Sequence, residues 1–184
     1  MKEEEELIKK AKKRDREAFG ILYDQYSPAI YRFVLLKTGN KAATEDMTHQ
    51  VFLNAWQNIE KYQFQGFPFS SWLYRIAHNT VIDYYRTEKK HLNLETIEEA
   101  AVSSNLEEKI DQEFELNLIK SAVKELSSEQ QTVLIMKFVE DLTNKEIAAV
   151  LGKNEGAIKI AQHRSLKNIK KIIDGKYNRK IKEA

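Results

Sequence analysis

The chain has 184 residues, enough for one large domain or two small ones. With 42% hydrophobic residues, 32% charged residues and a net charge of +2, it fits neither a disordered tail nor a membrane protein. It has no cysteine, which excludes disulfide scaffolds and thiol chemistry, and its 6 Gly and 2 Pro argue for helices over a turn-rich β fold.

Lys2 followed by Glu3–Glu6 is unlike a signal peptide, and no apolar run approaches the roughly 20 residues of a spanning helix. A soluble, cytoplasmic protein without membrane insertion is expected. The predicted elements begin with a charged helix over 3–13. Asp15 can cap a second helix carrying Ala18, Phe19, Leu22 and Tyr26 at helical spacing. Ser27-Pro28 reads as the start of a third, which Thr38-Gly39-Asn40 stops. A fourth runs from Lys41 to about Ile59, a loop of aromatic and polar residues covers 61–69, and Ser70 caps a helix reaching about Lys89.

From Asn93 to Glu129 there are ten acidic and three basic residues, net −7, and the first part lacks an apolar period, so an acidic linker is expected over 93–112. A helix resumes at Leu106. Ser127–Gln130 and Thr143–Glu146 are capping boxes, Gly152 suits a C-cap, and Asn154 can cap a final helix to about Ile173. A short helix, a Gly turn and a longer helix make a helix-turn-helix. The fold expected is all-α: two small helical domains, 1–92 and 113–175, joined by the acidic linker, with a basic tail over 176–184.

The final helix has an apolar face (Ile158, Ala161, Leu166, Ile169, Ile172, Ile173) opposite Lys159, Ile160, His163, Arg164, Lys167, Lys170 and Lys171. From Asn154 to Ala184 the chain is net +6. Cations in a row suit phosphates, and the first turns of such a helix reach base edges in the major groove. Ile160, an aliphatic residue in the middle of that polar face, fits a thymine methyl or a partner protein. Eight of the 18 aromatics lie between Tyr62 and Tyr85. Phe69 and Trp72 are expected in the core. Tyr62, Phe64 and Phe67, interleaved with Gln63, Gln65 and Gly66, stand beside a helix edge of Ser71, Arg75, His78, Asn79, Ile82, Arg86 and Lys89. Rings beside cations suit unstacked bases. Asp46/His49 and Glu88/His91 have the spacing of bundle metal ligands. Without further inward carboxylates, a Gly-rich phosphate loop or a triad, no metal, no cofactor and no catalysis are expected.

The stretches 45–56 (EDMTHQVFLNAW), 69–79 (FSSWLYRIAHN) and 83–86 (DYYR) resemble conserved region two of bacterial sigma factors, and 126–164 resembles region four of the same family. The chain is similar to the small extracytoplasmic-function (ECF) group. The resemblance implies a promoter-specificity subunit that binds core RNA polymerase at the clamp helices of its largest subunit and at its flap. An anti-sigma protein, if one restrains it, would be a further partner. The polymerase contact would be Asp46, His49, Gln50, Leu53 and Asn54. The minus-ten element would meet Tyr62, Phe64, Phe67, Ser71, Arg75, His78, Asn79, Ile82 and Arg86. The minus-thirty-five element would meet Asn154, Glu155, Gly156, Lys159, Ile160, His163, Arg164 and Lys167. His49-Gln50 departs from the family's usual Gln before an acidic residue. Ala157, Ile160 and Ala161 stand where Thr, Ser and Arg are common, which removes donors and implies an altered base preference or weaker binding. The charge pattern then suggests a division of labour: the acidic linker repels DNA and tethers two weakly binding basic modules, which polymerase would hold at the separation of the two promoter elements. A response-regulator-type helix-turn-helix regulator is the alternative, but it needs a receiver half, and no strand–helix alternation is present.

Overall fold

The computed structural model describes residues 2–91 and 121–183, with side chains over 3–87 and 121–175. Its helices are α1 (Lys2–Lys12), α2 (Arg16–Thr38), α3 (Lys41–Asn58), a 3-10 turn (Ile59–Lys61), α4 (Phe69–His91), α5 (Ser128–Phe138), α6 (Asn144–Leu151) and α7 (Glu155–Glu183). The described residues contain no strand. The segment 92–120, where the acidic linker and the helix start at Leu106 are expected, lies outside the described residues.

Local chemistry sets most helix ends. Asp15 accepts from the Ala18 amide and Asn40 from the Ala43 amide, each satisfying a donor that a helix start leaves open. Ser127/Gln130 and Thr143/Glu146 form reciprocal capping boxes. Gly152 closes α6 at φ 64°, a left-handed cap a Cβ would strain, and Asn154 caps α7 at the Ala157 amide (2.7 Å).

Two expected starts are corrected. Ser27-Pro28 does not begin a helix, because α2 runs through Pro28 to Thr38. Pro28 removes one interior hydrogen bond, but Asp24 and Pro28 lie on the exposed side of the helix, where the freed carbonyl costs least, while Leu22, Ile30, Phe33 and Val34 keep one core face continuous. Ser70 does not cap α4, which begins at Phe69, with the Ser71 amide donating to the Pro68 carbonyl (3.0 Å). Beyond Ile173, α7 continues to Glu183. Leu166 also departs from expectation: it is exposed, and the α7 positions buried against α5 and α6 are Ile158 and Ser165.

The N-terminal half packs α1, α3 and α4 around α2, with Leu22, Phe33, Val51, Ile59, Phe69 and Leu73 at its centre. The C-terminal half buries Val133, Met136, Ile147 and Ile158 between α5, α6 and α7. The halves do not sit apart: α5 packs on α2, and α6 packs on α4.

Candidate nucleic-acid interface

Three surfaces carry the predicted residues. On the first, Asp46, His49, Gln50 and Leu53 of α3 line an open groove of about 500 Å³ with Phe19, Tyr23, Phe52 and Trp56. Asn54 stands behind, accepting from the Gln50 amide at 2.7 Å. The groove wall is built by ring pairs, Phe19–Trp56 at 4.9 Å and Tyr23–Phe52 at 4.6 Å between centroids. These four aromatics were not among the predicted site residues, although Phe19 and Tyr23, like Phe52 and Trp56, are spaced i, i+4 on one helix. Leu53 is 49% exposed in the groove, a large apolar side chain open to solvent. Asp46 and His49 are exposed, and among the described residues no three His, Asp or Glu side chains converge as metal ligands. The side chains of Glu88 and His91 lie outside the described residues.

The second surface is the loop between the 3-10 turn and α4, with the α4 edge. Tyr62 does not face solvent as expected. It is buried edge-on against Phe69 (5.1 Å) and tilted against Trp72 (5.1 Å), and burial raises its phenol pKa. Phe67 is half-buried, and Gly66 at φ 82° supplies the left-handed turn. Phe64 is 74% exposed, the most exposed ring of the loop. Along α4, Asn79, Ile82 and Arg86 are exposed, with Arg86 paired to Asp83 at 3.0 Å. Ser71 and His78 are not open to DNA: Ser71 is buried with its hydroxyl unpartnered, and His78 is half-buried. Arg75 donates to the Ala149 carbonyl of α6 at 2.6 Å. The helix-turn-helix half therefore covers part of the edge expected to meet DNA.

Polar contacts hold that cover down. Glu140, at the turn where Asp141 adopts φ 53°, accepts from Arg32 Nε (2.8 Å), Arg32 Nη2 (2.6 Å) and the Tyr74 hydroxyl (2.7 Å). The Glu140 side chain is 1% exposed. Burial and this carboxylate together raise the Tyr74 phenol far above its ordinary value, while the hydrogen bond to Glu140 raises the Arg32 guanidinium. Lys37 of α2 donates to the Ser128 carbonyl (2.9 Å), the Ser128 hydroxyl (3.1 Å) and Gln131 (3.3 Å), three acceptors for the three donors of an ammonium, and burial lowers its pKa to about 8. Nothing local in the sequence singles out these residues, since their partners are 66 to 108 positions away.

The docking has a pH sign. Burial and the charge of Lys37 lower the pKa of His78, with Glu129 opposing. Lys37 stays in the same half as His78 when the halves part, and Glu129 of α5 acts the other way, so the sign of docking rests on the burial that α5 and α6 add over the imidazole. Through that burial the docked form binds fewer protons, and docking holds above the ordinary histidine pKa and weakens as pH falls through it. Lys37 has the same sign, favouring docking further as pH rises from about 8 toward its ordinary value. Small-angle scattering should show expansion between pH ~7.5 and ~5.5, the range that brackets an ordinary histidine, and His78→Gln should remove much of that response.

The third surface is α7. Lys159, Ile160, His163, Arg164 and Lys167 are exposed together, with Ile160 at 54%. Lys159 pairs with Glu155 at 3.0 Å, and Asn154 is committed to its cap. Gly156 leaves space for that cap, as a Cβ there would stand 3.3 Å from the Asn154 oxygen.

An open aromatic groove on α3, a loop with an exposed ring and an exposed cationic helix closing a helix-turn-helix put the chain in the class of two-lobed, all-helical proteins with a helix-turn-helix half. Family comparison agrees: the Sigma-70 region 2 family matches residues 22–91, and Sigma-70, region 4 matches 116–169. The chain is 30% identical to the ECF RNA polymerase sigma factor SigW of Bacillus subtilis over 175 residues, 89% of this chain and 93% of SigW. It is 34% identical to the ECF RNA polymerase sigma factor BldN of Streptomyces coelicolor over 171 residues, 91% of this chain, and the match spans 65% of BldN. Among solved structures, CnrH in complex with the cytosolic domain of CnrY shares the fold at TM-score 0.72 and 21% identity, covering 94% of this chain and 98% of that one. RpoE of Bartonella quintana, solved with the anti-sigma factor NepR, gives TM-score 0.69 and 20% identity over 85% of this chain and 96% of that one.

The chain belongs to the sigma-70 family of RNA polymerase sigma factors, in its ECF group. The response-regulator alternative is not favoured, because the half it would give to a receiver matches region 2. Among the described residues, no helix is long and apolar enough to cross a membrane.

Proposed function

We propose that this chain acts in the cytoplasm as a non-catalytic initiation factor, with its tasks divided among the three surfaces. The α3 groove takes the clamp helices of core polymerase, with Leu53 as apolar anchor and Asp46, His49 and Gln50 as polar rim. The loop and α4 edge take the minus-ten element: Asn79, Ile82 and Arg86 are accessible as the chain stands, Arg75 is exposed but held by the Ala149 carbonyl until the halves part, half-buried His78 lies beside Glu129 of α5, and Ser71 supports the edge from its buried position. Phe64 is the ring for an unpaired base. Buried Tyr62 supports the loop, and Phe67 lies beside it. The α7 face takes the minus-thirty-five element. An anti-sigma protein, as RpoE has in NepR, fits the same scheme as a restraining partner.

The observation that carries this reading is the joining, on one chain, of an open aromatic groove to an exposed cationic helix of a helix-turn-helix. Run-off transcription with purified core polymerase tests it: the chain should impose a start site that core alone does not choose. Unchanged start-site choice would sink it. On the upstream element, replacing both Lys159 and Arg164 by Ala should weaken duplex binding and lower the salt slope by about 2, roughly 0.9 for each phosphate no longer neutralised. An unchanged slope would show that neither side chain neutralises a phosphate.

A further inference from the structure

α1 lies outside the region 2 match, which begins at residue 22, yet its last residues reach the promoter-facing loop. The Lys12 ammonium donates to the Tyr62 carbonyl at 2.8 Å, where the loop begins. Arg14 donates to the Trp56 carbonyl at 2.7 Å, pairs with Glu60, and sits 5.3 Å over the Trp56 ring. Residues 12 and 14 thus hold the end of α3, the 3-10 turn and the first residue of the loop.

Arg14 does so from a left-handed backbone, φ 68°, a conformation that usually falls to glycine. The Arg14 amide bonds back to the Ala11 carbonyl (2.9 Å) and the Asp15 amide to the Lys10 carbonyl (3.2 Å), a Schellman-type end to α1. Glycine would serve that turn with less strain, so the turn alone does not explain an arginine there. What arginine adds is the guanidinium on Trp56 and Glu60.

At the other end of α1, Glu4 accepts from the Tyr26 hydroxyl at 2.6 Å. Tyr26 packs on Phe69, which closes the loop against Tyr62 and Trp72. Both ends of the loop are therefore tied to α1, one by polar contacts and one through a ring cluster, while Phe64 between them is left free.

We propose that α1 and its left-handed turn are a brace for promoter opening. Lys12 and Arg14 are positioning residues that hold the loop so that Phe64 meets an unpaired base. The inference rests on the proposal that this loop receives such a base.

The test compares Lys12→Met, Lys12→Arg, Arg14→Gly and Phe64→Ala as full-length chains assembled with core polymerase. Arg14→Gly is chosen because glycine accepts the turn, so the fold is kept while the guanidinium is removed. Two readouts are taken on one linear promoter duplex: binding in the cold, before melting, and permanganate reactivity of minus-ten thymines after warming. Lys12→Met and Arg14→Gly are expected to lower thymine reactivity by about tenfold, with duplex and core binding unchanged and Lys12→Arg close to wild type. Wild-type reactivity in both Lys12→Met and Arg14→Gly overturns the brace. So does an equal loss of duplex binding, core binding and reactivity, which would mark general damage to the fold. Phe64→Ala separates the two layers: if it melts the promoter normally, the base-receiving loop fails first, whereas if it is defective while the α1 variants are normal, only the brace fails.

Discussion

Replacing Glu140 by alanine is expected to shift the chain from docked to parted halves by about 10²-fold. The carboxylate is almost fully buried and accepts two hydrogen bonds from Arg32 and one from Tyr74. Hydrogen bonds to a charged group are worth about 1.5–3 kcal/mol each, but Arg32 is half exposed and regains water when released, so its share is discounted. About 2–3 kcal/mol remains once the orphaned Tyr74 hydroxyl is included, which is roughly two decades in the equilibrium. Glu140→Gln keeps an acceptor for Tyr74 and removes the charge, so its effect should fall between alanine and wild type. Because the chain has no native cysteine, Gln57→Cys and Asn168→Cys permit site-specific dye labelling on exposed positions of α3 and α7. Energy transfer should drop in Glu140→Ala, and the free chain should gain affinity for a single-stranded minus-ten oligonucleotide as Arg75 is released from the Ala149 carbonyl and His78 loses the neighbouring α5. Equal transfer in variant and wild type would show that the contact does not govern docking.

This docking marks where the sequence stopped being legible. The caps at Asp15, Ser127, Thr143 and Asn154 could be read because a cap involves residues only three apart. Ser27-Pro28 misled for the same reason: the local signal says start, and only the continuous core face from Leu22 to Val34 shows that the helix runs on. Tyr62 looked free because a loop residue carries no periodicity, whereas its burial depends on Phe69 and Trp72 coming back across the chain. The site residues follow this rule. The cationic face of α7 is one helix and was readable from a 100° count, while the cover over the α4 edge at Arg75 and His78 depends on Arg32, Lys37, Tyr74 and Glu140 meeting from distant segments. A tether was the natural reading of an acidic stretch, but the described halves are packed together by contacts that no local pattern announces.

Leu53→Glu is expected to cost about 10³-fold in affinity for core polymerase. Leu53 is the exposed apolar residue of the α3 groove, flanked by Phe52 and Trp56. An anchor of this type contributes roughly 2 kcal/mol or more, and a carboxylate forced into the same desolvated pocket adds a few kcal/mol unless it finds a partner. Gln25→Glu adds the same charge at an exposed position on α2 outside the groove and should leave core binding intact. Leu53→Glu should also leave the free chain's binding to a minus-thirty-five duplex intact, since α7 belongs to the other half. The groove and the Glu140 contact share α2 but not its residues. Tyr23 lines the groove and Arg32 meets Glu140, nine positions or about 13 Å farther along the helix. If the groove takes core polymerase as proposed, that contact is expected to form while the halves are still docked, and Glu140→Ala should leave it unchanged while hastening the steps assigned to Arg75 and His78. If Glu140→Ala instead weakened core binding as much as Leu53→Glu does, the two surfaces would be one, and the order of engagement drawn from their separation would be wrong.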